Sequence, residues 1–205
     1  MNPPYFMTKC ATCSDDGTVR VWDPRQKQAV SVIEENFQLL AVAWGGGGES
    51  GMSEAMIFTG GIEGRVTSYD LRNVTTPVLT LPHPNTITSV TVSSDAAHLV
   101  SNCMDGVVRM WDVRAYAPAE RCVQAFVGAL HSPEQNLLRS TISSDGSRVA
   151  AASSDRNVYV WDAVTRHVSH RLPGHQGVVN AVDFHPTQPI LASAGSDKRV
   201  FLGEI

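Results

Sequence analysis

The chain has 205 residues, 42% hydrophobic and 18% charged, with a formal net charge of −4. This ordinary soluble composition allows one sizeable core or two small ones, and the negative balance argues against a broad phosphate-binding surface as the main function. No apolar run approaches the ~20 residues of a membrane-spanning helix, the first residues carry no charged-then-apolar signal pattern, and four cysteines are too few for a disulfide scaffold at this length, so reduced thiols in an intracellular protein are the expectation.

Read in chain order, the sequence is a succession of short strand patterns with little helical periodicity. "FMTKCATC", "TVRVWD" and "KQAVSVI" read as three strands of an opening partial unit, residues 1–35. The next unit, about 36–80, carries "LLAVAW" and "AMIFTGG", separated by "GGGGESG". That glycine run lacks a following Lys-Ser or Lys-Thr, so it reads as a flexible insertion rather than a phosphate loop. The unit at about 81–127 is the clearest: "TITSVTVSS", "HLVSNCM", a hairpin turn at Asp105-Gly106, then "VVRMWD" and "RCVQAFV". In the unit at about 128–172, the stretch Leu130–Ser140 is longer than a strand connection requires and is a candidate partner-binding loop, with mere length variation the equal alternative, while "SSDG" is a turn. The last unit, 173–205, has the turn "FHP" and three strands, and ends "RVFLGEI".

These units are copies of one another. Trp22-Asp23, Tyr69-Asp70, Trp111-Asp112, Trp161-Asp162 and Gly203-Glu204 occupy one slot, at steps of 47, 42, 50 and 42 residues. Six residues before each slot stands an acid: Asp16, Glu63, Asp105, Asp155 and Asp197. Four residues before each acid stand Thr12, Thr59, Ser101, Ala151 and Ser193. His83, His131 and His175 precede the last three slots by about thirty residues, and the unit ending at Tyr69 has Asn36 and Phe37 near that place. With this period and the Trp-Asp ending, the chain resembles the WD-repeat family over essentially its whole length.

The resemblance implies an all-β fold, a partial WD-repeat β-propeller of about four and a half blades, each a four-stranded antiparallel sheet. It implies the C-terminal part of a longer propeller, with a small closed ring as the second reading. In this family a His, a Ser or Thr, an Asp and the Trp form one hydrogen-bonded chain inside a blade. That role falls on His83, Ser101, Asp105 and Trp111, the one complete set, and in part on Thr12, Asp16 and Trp22, on His131, Asp155 and Trp161, and on His175, Ser193 and Asp197. Such sets imitate a Ser-His-Asp catalytic triad, but their recurrence from blade to blade favours a structural role. Cys10 and Cys13 have CxxC spacing without a second ligand pair, so core packing is expected rather than a metal site. No catalytic residue, cofactor or small-molecule substrate is expected.

Arg25, Arg72 and Arg114 each stand two places after the slot's Asp and are the candidate partner-binding residues; an ion pair within the blade is the equal alternative. "WDxR" ends also occur in WD-repeat substrate receptors of cullin-RING ubiquitin ligases, which makes that role the second functional reading. "YAPAERC", "NLLRS", "SDKRVFLGEI" and neighbouring stretches of Leu99–Ile205 are more specific. They resemble the U5 small nuclear ribonucleoprotein branch of the WD-repeat family. That resemblance implies a non-catalytic scaffold of nuclear pre-mRNA splicing. It would bind the large central U5 protein and other spliceosomal subunits, with indirect association to RNA and no membrane contact.

Overall fold

The structure is a computed structural model that describes residues 9–45, 55–132, 134 and 136–205. Among these residues every regular element is a strand, and the strands group in chain order into five antiparallel sheets. The first holds β1 (Cys10–Cys13), β2 (Thr18–Trp22) and β3 (Ser31–Glu34). The second holds β4 (Leu39–Trp44), β5 (Met56–Gly61), β6 (Arg65–Asp70) and β7 (Leu79–Pro82). The third holds β8 (Ile87–Val92), β9 (His98–Cys103), β10 (Val107–Asp112) and β11 (Cys122–Val127). The fourth holds β12 (Ser140–Ile142), β13 (Arg148–Ala152), β14 (Val158–Asp162) and β15 (Val168–Leu172), and the fifth β16 (Val179–Phe184), β17 (Ile190–Gly195) and β18 (Val200–Glu204). The repeat in the sequence is therefore a repeat of sheets, each strand pairing with its chain neighbour. Most of the Gly45–Gly51 insertion lies outside the described residues, as do residues 133 and 135 of the Leu130–Ser140 loop.

Local chemistry explains the hairpins. At the β9–β10 turn, Gly106 has φ +80° and Asp105 accepts the Val107 N–H at 3.0 Å. At the equivalent turn of the first sheet, a Cβ on Gly17 would lie 2.4 Å from the Glu35 carbonyl oxygen, so only glycine fits. The fourth and fifth sheets put Arg156 and Lys198 at this place, with φ +70° and +63°, at a backbone cost on the order of 1–2 kcal/mol each. Bulges also recur: the innermost strands β4, β8 and β16 shift register near their starts, and β10 and β14 shift against their outer partners at Trp111 and Trp161. Each bulge adds local twist, as a wedge-shaped blade requires.

The core lies in the seams between sheets. Val19, Val21, Leu39, Ile57 and Tyr69 fill the first seam. Phe58, Val66, Leu81, Ile87, Leu99 and Trp111 fill the second. Val100, Val108, Phe126, Ile142 and Trp161 fill the third, and Leu138, Val158, Val160, Val179 and Leu191 the fourth. Because each seam draws on two sheets, a blade cannot bury its apolar face alone. The innermost strands β4, β8, β12 and β16, flanked by Cys13 of β1 on one side and Ala192 of β17 on the other, line a central cavity of about 520 Å³. At the outer edge of the fifth sheet, β18 leaves Val200 70%, Phe201 38% and Leu202 74% exposed.

Side-chain hydroxyls staple the later seams. Thr88 and Thr91 donate to the carbonyls of Leu138 and Ser140, both at 2.8 Å, and Asn102 Nδ2 reaches Leu138 O at 3.0 Å. Ser94 donates to Ser144 O at 2.5 Å, and Ser144 repeats the gesture to Pro186 O at 2.7 Å. The "SSD" turns thus hand one hydrogen bond from blade to blade.

Candidate functional site

The slot residues sit on β2, β6, β10, β14 and β18, and each of these strands pairs with the strand before it, which carries the hydroxyl position (Ala151 in the fourth sheet). In the third sheet, Arg109 pairs with Ser101 and Trp111 with Leu99. Ser101, fully buried, is the hub: the Trp111 indole N–H donates to its Oγ at 2.9 Å, and His83 Nε2 lies 2.7 Å away. His83 Nδ1 lies 3.0 Å from the Leu81 carbonyl oxygen, so it carries the proton and donates. Ser101 then donates to His83 Nε2 while accepting from Trp111. Burial pushes the His83 imidazole down to about 4, keeping it neutral in this arrangement.

Asp105 departs from the expected chain. It does not close onto His83; Arg109 takes it with two guanidinium nitrogens at 2.6 and 3.2 Å. A charge-assisted bidentate pair outcompetes a single bond to a neutral imidazole. The fifth sheet shows the converse. His175 Nδ1 donates to Asp197 at 3.0 Å, and Ser193 Oγ lies 3.0 Å from Nε2. The residue corresponding to Arg109 is Phe201, which cannot claim the carboxylate and instead packs edge-on against His175, ring centroids 4.6 Å apart. Gly203 supplies no indole, so this network ends at Ser193.

The remaining sets are also rearranged. In the first sheet Trp22 donates to Thr12 Oγ1 at 2.9 Å, while Asp16 turns to Thr18 at 2.7 Å and lies 3.9 Å from Arg20. In the fourth, Ala151 offers no hydroxyl, and the fully buried Trp161 donates to the Val127 carbonyl of the preceding sheet at 3.0 Å. His131 and Asp155 do not join Trp161. His131 Nε2 lies 3.3 Å from Asn102 Oδ1, and Asp155 accepts from Tyr159 at 2.7 Å and Arg171 at 3.1 Å. Without a hydroxyl opposite, nothing bridges histidine to indole. The expected core packing of Cys10 is also corrected: it is exposed on the edge strand β1, while Cys13 is half-buried against the first seam.

In the second sheet, sequence reasoning missed the arrangement that replaces the network. Tyr69, in the Trp slot, donates its phenol O–H to Glu35. Arg65 lies 2.8 Å from Glu63 and 3.9 Å from Glu35, and stacks 5.0 Å above the Phe37 ring. Burial, then the bond to Glu35, pushes the Tyr69 phenol far above its usual value. Tyr in place of Trp was the visible signal: a phenol reaches an acceptor beyond its ring edge, and Glu35 stands beside the empty histidine position.

At the corners after the slot, Asp23, Asp70 and Asp112 accept the backbone N–H of Arg25, Arg72 and Arg114 at 3.0, 2.9 and 3.0 Å. The Arg114 guanidinium also folds back on Asp112, with Nε 3.0 Å from one oxygen and 3.1 Å from the other, and Arg72 Nε lies 3.5 Å from Asp70. The turn geometry is shared, and at two corners the cation pairs within its own blade. No group of three or more metal-ligating side chains occurs among the described residues.

Five sheets packed through apolar seams, with Trp–Ser/Thr contacts in the first and third sheets and recurrent acid turns, define a WD-repeat propeller arc. The family comparison agrees: the model of the WD domain, G-beta repeat, matches residues 4–23, 75–112, 123–162 and 166–202, and the chain belongs to that family. The unmatched stretch 24–74 contains most of the second sheet, where Tyr69, Glu35 and Arg65 replace the usual residues. Among individual proteins, the chain is 46% identical over 194 residues to the U5 small nuclear ribonucleoprotein 40 kDa protein of Mus musculus, covering 95% of this chain and 52% of that protein. It is 45% identical over 192 residues to the pre-mRNA-splicing factor cwf17 of Schizosaccharomyces pombe, covering 94% and 54%. A periodic tryptophan protein 2 homolog of Dictyostelium discoideum is 28% identical, over 91% of this chain and 19% of that protein. The chain thus spans about half the length of the splicing relatives it matches.

Proposed function

We propose that the chain is part of a non-catalytic interaction platform of the U5 small nuclear ribonucleoprotein, acting in pre-mRNA splicing in the nucleus. The observation that carries this reading is the 45–46% identity, spread over nearly the whole chain, to proteins named for that particle and that process. The partners are proteins, foremost the large central U5 protein and neighbouring subunits, and RNA association is indirect. The blade networks hold the platform rigid, and its loops and corners, including those of Arg25, Arg72 and Arg114, make contact through shape and a few anchoring side chains. Catalysis is disfavoured because Ser193 and His175 of the triad-like set are each only 8% exposed, inside a sheet seam.

The test is affinity purification of the full-length protein from nuclear extract, with and without ribonuclease, followed by mass spectrometry. Splicing proteins that remain bound after ribonuclease support a protein-contact scaffold. Loss of all of them on digestion, or recovery of a cullin adaptor in their place, contradicts it.

A further inference from the structure

The loop between β10 and β11 carries the most exposed large hydrophobic side chain of the described residues: Tyr116, at 101% of its reference area. A single exposed aromatic is common on protein surfaces and proves nothing by itself. What distinguishes this one is its mount. At the start of the loop Val113, 5% exposed, bonds through its N–H to Ala97 O at 3.0 Å. Arg114 pairs with Asp112 through both side chain and backbone. At the far end the Arg121 guanidinium donates to the carbonyls of Asp112 at 3.2 Å and Arg114 at 2.9 Å, and the Arg121 carbonyl accepts the Asp112 N–H at 2.8 Å. Ala117 N–H closes a turn onto Arg114 O at 3.2 Å. The neck is pinned from both sides.

The residues on this neck read Ala115, Tyr116, Ala117, Pro118, Ala119. Alanine and proline lose almost no side-chain entropy on burial, and tyrosine brings a large area on two side-chain torsions. We infer that the Tyr116 knob, held out by the Arg114–Asp112–Arg121 neck, is a docking anchor that inserts into an apolar cleft of a protein partner. An exposed aromatic can also stack on a nucleobase, but the charges here favour protein. Base stacking works beside cations that neutralise the phosphates. Here Arg114 is neutralised by its ion pair with Asp112, and the charge of Arg121, whose guanidinium is turned onto two backbone carbonyls, is balanced by the exposed Glu120 beside it, so the loop offers no net positive charge.

This inference goes beyond the splicing reading and does not depend on it. The test places the photocrosslinking residue p-benzoylphenylalanine at position 116 of the full-length protein in cells. Position 164, where Val164 is 79% exposed after the slot of the next blade, is the control. The expected result is a discrete protein adduct from position 116, resistant to ribonuclease and absent at 164. Tyr116→Ala should lower co-purification of the crosslinked partner at least about tenfold, while Tyr116→Phe retains it, with an unchanged melting curve for both. Absence of a protein adduct at 116, an adduct removed by ribonuclease, or full partner binding by Tyr116→Ala would overturn the inference. U5 small nuclear RNA measured in the same precipitates separates the two readings. An adduct without that RNA defeats only the splicing reading, and that RNA without an adduct defeats only the knob.

Discussion

In the last three blades the side chain four places after the acid decides what that acid holds. Arg109 captures Asp105, Tyr159 captures Asp155, and Phe201 leaves Asp197 free for His175. Replacing Arg109 by Phe should therefore release Asp105 toward His83 and raise the His83 pKa from about 4, an effect read by NMR titration of the imidazole; an unmoved titration would refute the competition. The pH dependence of the parent chain has a definite sign. His83 is depressed from an ordinary value of 6.5, so the unfolded chain binds the proton more readily. Its contribution to stability is fully present above about pH 6.5 and is lost as pH falls toward 4, so the slope of stability against pH in that window should flatten in His83→Gln. Trp111→Ala should cost on the order of 3–5 kcal/mol, measured by denaturant unfolding, because it empties a seam and removes Ser101's donor. Ser101, Trp111 and His83 were placed in register by the repeat spacing, and the family resemblance supplied their role. The fate of Asp105 was not, because two acceptable partners compete for it and only geometry ranks them.

At the scale of the element, the second sheet shows how a blade survives without the usual residues. Glu35 comes from the segment entering the sheet, Arg65 from the start of β6 and Tyr69 from its end, and the three meet where a histidine and an indole would otherwise stand. Tyr69→Phe keeps the ring in the seam but leaves the Glu35 carboxylate, 8% exposed, without its phenol donor. The expected loss is about 1–3 kcal/mol, and amide exchange should report it first in β5 and β6; protection unchanged there would show that Arg65 alone satisfies the carboxylate. Strand positions were readable because alternation and turn glycines are local signals. The Tyr69 cluster and the hydroxyl staples were not, since each joins residues whose proximity exists only once neighbouring sheets have packed.

At the scale of the whole molecule, five sheets share four apolar seams around a central cavity, and the chain covers about half the length of its splicing relatives. With Val200 and Leu202 exposed on the edge strand β18, the 205-residue chain expressed alone should self-associate. Val200→Lys with Leu202→Lys should shift it toward monomer in light scattering; an equally associated double variant would place the contact elsewhere. Its WD-repeat architecture was legible from the Trp-Asp period, whereas the proposed role in a particle would depend on surface loops that periodicity does not describe. The most direct test of that role is immunoprecipitation of the endogenous protein from nuclear extract, with each small nuclear RNA quantified. We expect U5 RNA to be enriched over the others; recovery of intact, folded protein with no such enrichment would contradict the assignment to the U5 particle.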